Sequence, residues 1–236
     1  MSGRLPPLFH AHPDVDAWAE AACADIAGLL RASMHDAGDA RLLLSGGSTP
    51  APVYPALAGQ PLDWSRIVVG LVDERWLPVG DRDSNATLVA ETLLHGAATF
   101  ARFEPILLAG HALADCVTAA NAAALGAPAS VAVLGMGPDG HTASIFPGMR
   151  DFDAAVAARA DYLAVDAGGC AGAGTWPQRI TLGAAGLARA AQRLLLIRGE
   201  AKRALFQKAI DGDDARALPI RLAFHGGMPL RVHWCP

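Results

Sequence analysis

Lysine is scarce in this chain: Lys202 and Lys208 stand against seventeen arginines in 236 residues. Cysteine is scarce too. Cys23, Cys116, Cys170 and Cys235 are widely dispersed, with no C-x-x-C pair, which removes the usual zinc and dithiol frameworks and points to a reducing compartment. No apolar run reaches the ~18 residues needed to cross a bilayer. The opening MSGRLPPLFHAHPDVD has no charged segment followed by an apolar one, so the expectation is no export signal and a cytoplasmic protein. An excess of positive charge is also missing. With 19 basic and 23 acidic side chains the net charge is −4, whereas nucleic-acid binding normally needs a basic face. We therefore expect neither nucleic acid nor membrane as partner. A small anion held by a few local arginines remains compatible with this balance.

Apolar residues make up 52% of the chain, enough for a full core in one domain or two small ones. No internal repeat or long linker divides it, so a single domain over 1–236 is expected. Asp14 to Met34 carries apolar residues near helical period, with Asp14 a plausible N-cap. The runs Arg41–Leu44, Arg66–Asp73 and Ser130–Leu134 read as buried strands, as do Tyr162–Val165, Arg179–Leu182 and Arg193–Ile197. Helices are expected from Pro52, from Ser84 or Asn85 to about His95, over Ala112–Leu125 and over Glu200–Ile210. Continuous apolar strands alternating with helices predict an α/β fold, doubly wound, with a mostly parallel sheet covered by helices on both faces. Ala167–Gly174, AGGCAGAG, reads as a mobile surface loop.

Three polar loops follow strands directly, and should converge at the carboxyl edge of the sheet, where such folds bind ligands. In the first, Ser45-Gly46-Gly47-Ser48-Thr49-Pro50, backbone N–H groups, hydroxyls and a following helix N-terminus can hold an anion. It is neither a Walker loop nor a dinucleotide turn, and the local pattern also fits a tight turn with hydroxyl caps. The second, Asp73-Glu74-Arg75, offers Arg75 to a phosphate or carboxylate and Asp73 to a histidine or sugar hydroxyl; a surface salt bridge explains it equally. The third, Gly135-Met136-Gly137-Pro138-Asp139-Gly140-His141, presents His141 at a loop rim, where imidazole serves as a base near neutral pH.

The other seven histidines lack such a setting. His10, His12, His35, His95 and His111 read as solvated, and His225 and His233 have no partner motif. No spacing matches a metal site. Lys202, in Gly199-Glu200-Ala201-Lys202, can complete a phosphate site or be an ordinary helix lysine.

Five segments together resemble the 6-phosphogluconolactonase family, related in fold to the glucosamine-6-phosphate deaminases. They are SGGSTP (45–50), VDERWLPVGDRDSN (72–85), LGMGPDGHTASIFPG (134–148), PQRITL (177–182) and GEAK (199–202). The resemblance implies a Rossmann-like fold and an esterase of the oxidative pentose phosphate pathway. It would need neither metal nor cofactor, and would hydrolyse 6-phospho-D-glucono-1,5-lactone. On the same ground His141 is the base and Asp73 lies near the reacting centre. Gly46, Gly47, Ser48 and Thr49, with Arg75 and Lys202, hold the substrate phosphate, and Arg179 lies near the phosphate or a lid. The sugar phosphate is then the partner, and the chain a monomer or weak homodimer.

Two segments depart from the family pattern. AGGCAGAGTWPQ stands where a Lys-Pro-Pro-like stretch is common, and the chain ends His233-Trp234-Cys235-Pro236. The alternatives are a glucosamine-6-phosphate deaminase or isomerase and a non-catalytic sugar-phosphate-binding module. The deaminase branch carries Phe-Asn-Glu-Pro after its histidine; here Ser144-Ile145-Phe146-Pro147 supplies no carboxylate. No G-x-S-x-G elbow supports an acyl-enzyme.

Overall fold

The computed structural model describes residues 4–236; residues 1–3, where the segment read for an export signal begins, lie outside the described residues. The strands are β1 (Leu8–Ala11), β2 (Ala40–Leu44), β3 (Ile67–Leu71), β4 (Asp73–Arg75), β5 (Arg102–Phe103), β6 (Val131–Gly135), β7 (Tyr162–Asp166), β8 (Gln178–Leu182), β9 (Gln192–Arg198) and β10 (Arg231–Cys235). The helices are α1 (Val15–Ala37), α2 (Val53–Ala58), α3 (Asn85–Thr92), α4 (Leu113–Gly126), α5 (Phe152–Ala157), α6 (Ala184–Arg189) and α7 (Glu200–Ile210).

Seven strands form the main sheet in the order β1-β10-β9-β6-β2-β3-β5, with every neighbouring pair parallel. β2 is buried along its whole length, and β6 up to its last residue. A strand covered on both faces has to be apolar throughout, which is why these runs were legible. In α1, Asp14 accepts from the Ala17 N–H at 2.9 Å and caps the helix. Trp18, Ala22, Ile26 and Leu30 are fully buried at a spacing of four, one apolar stripe laid against the sheet.

The chain order of the strands locates the crevice. After β2 the chain adds β3 and β5 on one side, then returns to set β6 on the other. The winding reverses between β2 and β6, and a crevice opens beyond the carboxyl ends of those two strands. The Ser45 loop leaves β2 there, and the Met136 loop leaves β6.

Two expectations need correction. The run Arg66–Asp73 is not one strand. Val72 donates its N–H to the Leu44 carbonyl at 2.9 Å and accepts from the Leu182 N–H at 2.9 Å. This one residue passes the chain out of the main sheet, and Asp73–Arg75 becomes β4. β4, β8 and β7 form a separate antiparallel sheet, so Tyr162–Val165 and Arg179–Leu182 are strands but lie outside the parallel sheet.

The second correction concerns His12 and His233, while His10 is exposed as expected. His233 is buried, with Nε2 at 3.0 Å from Asp25 Oδ2 and Nδ1 at 3.1 Å from His12 Nε2. Arg231 grips the same Asp25 carboxylate with two bonds, at 2.7 and 2.9 Å. Parallel pairing of β1 with β10 sets His10 opposite His233, and the partners are hundreds of residues apart in sequence. No local motif could have shown them.

Candidate active site

A cavity of about 260 Å³ opens at the crevice, and its walls include all three polar loops. Gly46, Gly47, Ser48, Thr49, Asp73, Arg75, His141, Arg179 and Lys202 are brought together there. The expected convergence of the loops therefore holds.

On the first wall, Gly47 has φ = 93°, a conformation that L side chains rarely adopt. The turn carries the chain to Thr49, whose Oγ1 accepts from Lys202 Nζ at 3.3 Å. Lys202 lies in the first turn of α7, and burial, aided by Arg198, lowers its pKa from the ordinary lysine value. A partly desolvated ammonium gains more from an anion than a solvated one does. The helix after the loop is weaker support than the sequence suggests. α2 has six residues and no side-chain cap, so it adds little to what the loop N–H groups and Lys202 offer an anion.

On the second wall, β4 and β8 set Arg75 opposite Arg179. Arg75 Nη1 donates to the Asp83 carbonyl at 2.5 Å. Arg179 is buried and committed locally: Nε donates to the Trp176 carbonyl at 2.5 Å and Nη2 to the Ala173 carbonyl at 2.5 Å. It braces the 173–176 segment as well as lining the cavity. Asp73 is buried, and its Oδ2 accepts from the Ser144 hydroxyl.

Glu74 is not part of a surface salt bridge. It is fully buried, and both carboxylate oxygens are used. Oε1 accepts from the Arg75 and Asn85 N–H groups at 2.8 and 2.9 Å, and Oε2 from Ser84 Oγ and the Ala86 N–H at 2.7 and 2.8 Å. Burial pushes its pKa up, against those hydrogen bonds. Glu74 thus pins the start of α3, which Ser84 caps, to the strand that carries Asp73 and Arg75.

On the third wall, His141 Nδ1 lies 2.6 Å from Asp139 Oδ1, and the His141 N–H donates to the same oxygen at 3.1 Å. Burial raises the Asp139 pKa, but the hydrogen bonds and charge of His141 outweigh it and hold the carboxyl below its ordinary value. With Nδ1–H directed at a carboxylate, the Nε2 lone pair is the basic site. The ring also rests on Phe146, with centroids 4.4 Å apart. Ala143, in the same loop, is the one non-glycine among the described residues with positive φ, at 49°.

Sequence reasoning missed Asp139 as the group that orients His141, although a carboxylate two residues before the histidine was a visible signal. The 167–174 segment lies at the surface as expected, with Gly168, Gly169, Ala171, Gly172 and Gly174 exposed, and it also packs on the site through buried Ala167 and Ala173. A Cβ on Gly172 would come within 2.7 Å of Asp139 Oδ2 and 3.1 Å of His141 Nδ1.

Fold and cavity define a class: a doubly wound α/β protein whose cavity lies at the reversal of strand order, combining an oriented imidazole with a glycine loop flanked by Lys202 and Arg75. The family model described as glucosamine-6-phosphate isomerases/6-phosphogluconolactonase matches residues 13–234. A 6-phosphogluconolactonase of Xylella fastidiosa is 49% identical over 220 residues, 92% of each chain. One of Pseudomonas putida is 38% identical over 236 residues, covering 99% of this chain and 96% of the relative. The crystal structure of a 6-phosphogluconolactonase from Shewanella baltica superposes with a TM-score of 0.90 at 30% identity, over 99% of both chains. The protein belongs to the glucosamine-6-phosphate isomerase/6-phosphogluconolactonase family.

Proposed function

We propose that this protein is a 6-phosphogluconolactonase, hydrolysing 6-phospho-D-glucono-1,5-lactone to 6-phospho-D-gluconate in the oxidative pentose phosphate pathway. The observation that carries the reading is the Asp139–His141 pair in one cavity with the Lys202–Thr49 contact. The relatives from Xylella and Pseudomonas bear the same activity in their names.

The substrate phosphate lies along Gly46–Thr49 and is neutralised by Lys202 and Arg75. Anchoring at that end places C1 at His141 and spares the reaction a search for orientation. His141 Nε2 takes a proton from water as the oxygen attacks C1. The resulting imidazolium is stabilised by Asp139. As the tetrahedral intermediate collapses, the bond from C1 to the ring oxygen breaks, and that oxygen takes the proton back from His141. A six-membered lactone hydrolyses appreciably unaided, so one base contributing ~10²–10⁴-fold and a held phosphate are sufficient means. Asp73 stands near the reacting centre, tied to Ser144.

The deaminase reading lacks support in the loop after His141, where Ala143 and Phe146 line the cavity. We read the chain as one domain over 1–236, a monomer or weak homodimer. A cytoplasmic location fits its four free cysteines, and no helix among the described residues is long and apolar enough to cross a membrane.

The test follows freshly generated 6-phosphogluconolactone against its spontaneous rate, with glucosamine 6-phosphate in parallel. Acceleration of lactone loss without ammonia release supports the reading; deamination without lactone hydrolysis overturns it.

A further inference from the structure

Asn85 opens α3 and is buried at 2% exposure, yet it lines the cavity. Its amide orientation is fixed by its neighbours. Nδ2 donates to the Asp73 carbonyl at 2.8 Å and reaches Asp73 Oδ1 at 3.4 Å. Oδ1 is thereby turned the other way and has no hydrogen-bond partner among the described residues. It lies directly over Gly46, where a Cβ would fall 1.8 Å from it. Beside it, Ser45 Oγ, buried and lining the same cavity, also has no partner among the described residues.

These two atoms stand out against a densely bonded surrounding. The Glu74 oxygens, the Ser84 hydroxyl and the Asp73 Oδ2 are all engaged. Buried polar atoms in folded proteins are nearly always satisfied, and leaving one bare costs free energy that a ligand can recover. An amide oxygen only accepts. It cannot recognise a phosphate oxygen, which is itself an acceptor carrying negative charge. A ligand group that meets Asn85 Oδ1 must therefore bring a donor. The lactone has hydroxyl donors at C2, C3 and C4.

We propose that Asn85 is a specificity-determining residue whose Oδ1 accepts a hydrogen bond from one ring hydroxyl of the bound lactone. The proposal rests on the lactonase reading. It narrows the phosphate contact from the whole of Gly46–Thr49 to the Thr49 end with Lys202, and turns the Gly46 end to the sugar ring. A site built around a substrate hydroxyl rejects the analogue lacking it far more strongly than an apolar pocket rejects a missing methylene, because the buried acceptor is left bare.

The test compares kcat/KM for 6-phosphogluconolactone with its 2-, 3- and 4-deoxy analogues, each generated by oxidising the matching deoxyglucose 6-phosphate. The wild-type protein should disfavour one analogue by at least ~10²-fold. In Asn85→Ala that discrimination should shrink to less than ~10-fold, while the ranking of the other two is unchanged. Loss of the Asn85–Asp73 bonds lowers the rate for all four lactones alike, so the ratio separates hydroxyl recognition from positioning of Asp73. The proposal is overturned if the variant loses the same factor on every substrate, or if the wild type treats all three analogues within a few-fold of the parent. The second arm needs no variant, so a misfolded Asn85→Ala does not rescue the idea. A wild-type protein inert toward the parent lactone overturns the lactonase reading itself, a result distinct from either.

Discussion

Asp139 Oδ1 accepts two hydrogen bonds from one residue, His141: one from the ring Nδ1 at 2.6 Å and one from the backbone N–H at 3.1 Å. The double contact ties both the position and the rotation of the imidazole to a single carboxylate oxygen. His141→Ala should lower kcat at least ~10²-fold, the lower end for loss of a general base, with little change in fold. Asp139→Asn should also lower kcat. Rates above the spontaneous reaction, measured for both variants, check this; an unchanged kcat in Asp139→Asn argues against Asp139 as the partner of the base.

Arg75→Ala and Lys202→Ala should act on binding. Each removes a charge-assisted contact of roughly 1.5–3 kcal/mol, so KM should rise ~10–100-fold. Inorganic phosphate should compete with substrate in the wild type and less well in Lys202→Ala. Equal activity of the wild type on gluconolactone with and without its phosphate would remove the assignment.

Gly172→Ala should damage catalysis through the roof of the site. The added Cβ meets Asp139 Oδ2 at 2.7 Å and His141 Nδ1 at 3.1 Å, so the pair must shift. The expected outcome is a kcat reduced ~10-fold or more, since small misplacements of reacting groups are costly, with KM nearly unchanged. Steady-state kinetics separates this from a binding defect, and an unchanged kcat shows that the segment yields freely.

Asp25 should make stability fall in acid. Burial raises its pKa, but the bonds from His233 and Arg231 prevail and bring it from the ordinary 3.8 down to about 2. A carboxyl depressed in the folded state stabilises the protein fully above pH ~4, and that stabilisation is lost as the pH falls toward 2. The amount is about 2 kcal/mol. Denaturant unfolding at pH 6, 4 and 2.5 should therefore show a steeper loss in the wild type than in Asp25→Asn. Parallel curves would mean that Asp25 is not the group responsible.

Lactone hydrolysis should survive dialysis against a strong chelator, and zinc should not raise it. A hydrolytic zinc site uses three protein ligands and an open position. Among the described residues no three His, Cys, Asp or Glu side chains are grouped to hold a metal ion. Activity lost to the chelator and restored by zinc would make His141 a ligand rather than a base.

By itself, the sequence determined the parallel α/β fold and the gathering of the three loops. The reason is local: β2 and β6 are covered on both faces and had to be written as unbroken apolar runs, and glycines mark the turns that leave them. His141 and the SGGSTP loop were legible for the same reason, since each sits directly after such a run. The tertiary structure decided what pairing across the chain decides. Asp73-Glu74-Arg75 reads as a loop at the end of the Arg66–Asp73 strand until Val72 is seen bonding Leu44 on one side and Leu182 on the other. Glu74 reads as a surface charge until the start of α3 brings three donors to it. Gly172 reads as part of a mobile surface loop until Asp139 and His141 are found beneath it, and Asn85 as one of two possible helix starts until its bare oxygen is found over Gly46. Each of these roles depends on a neighbour that the chain supplies from elsewhere, and residue type and spacing carry no record of that neighbour.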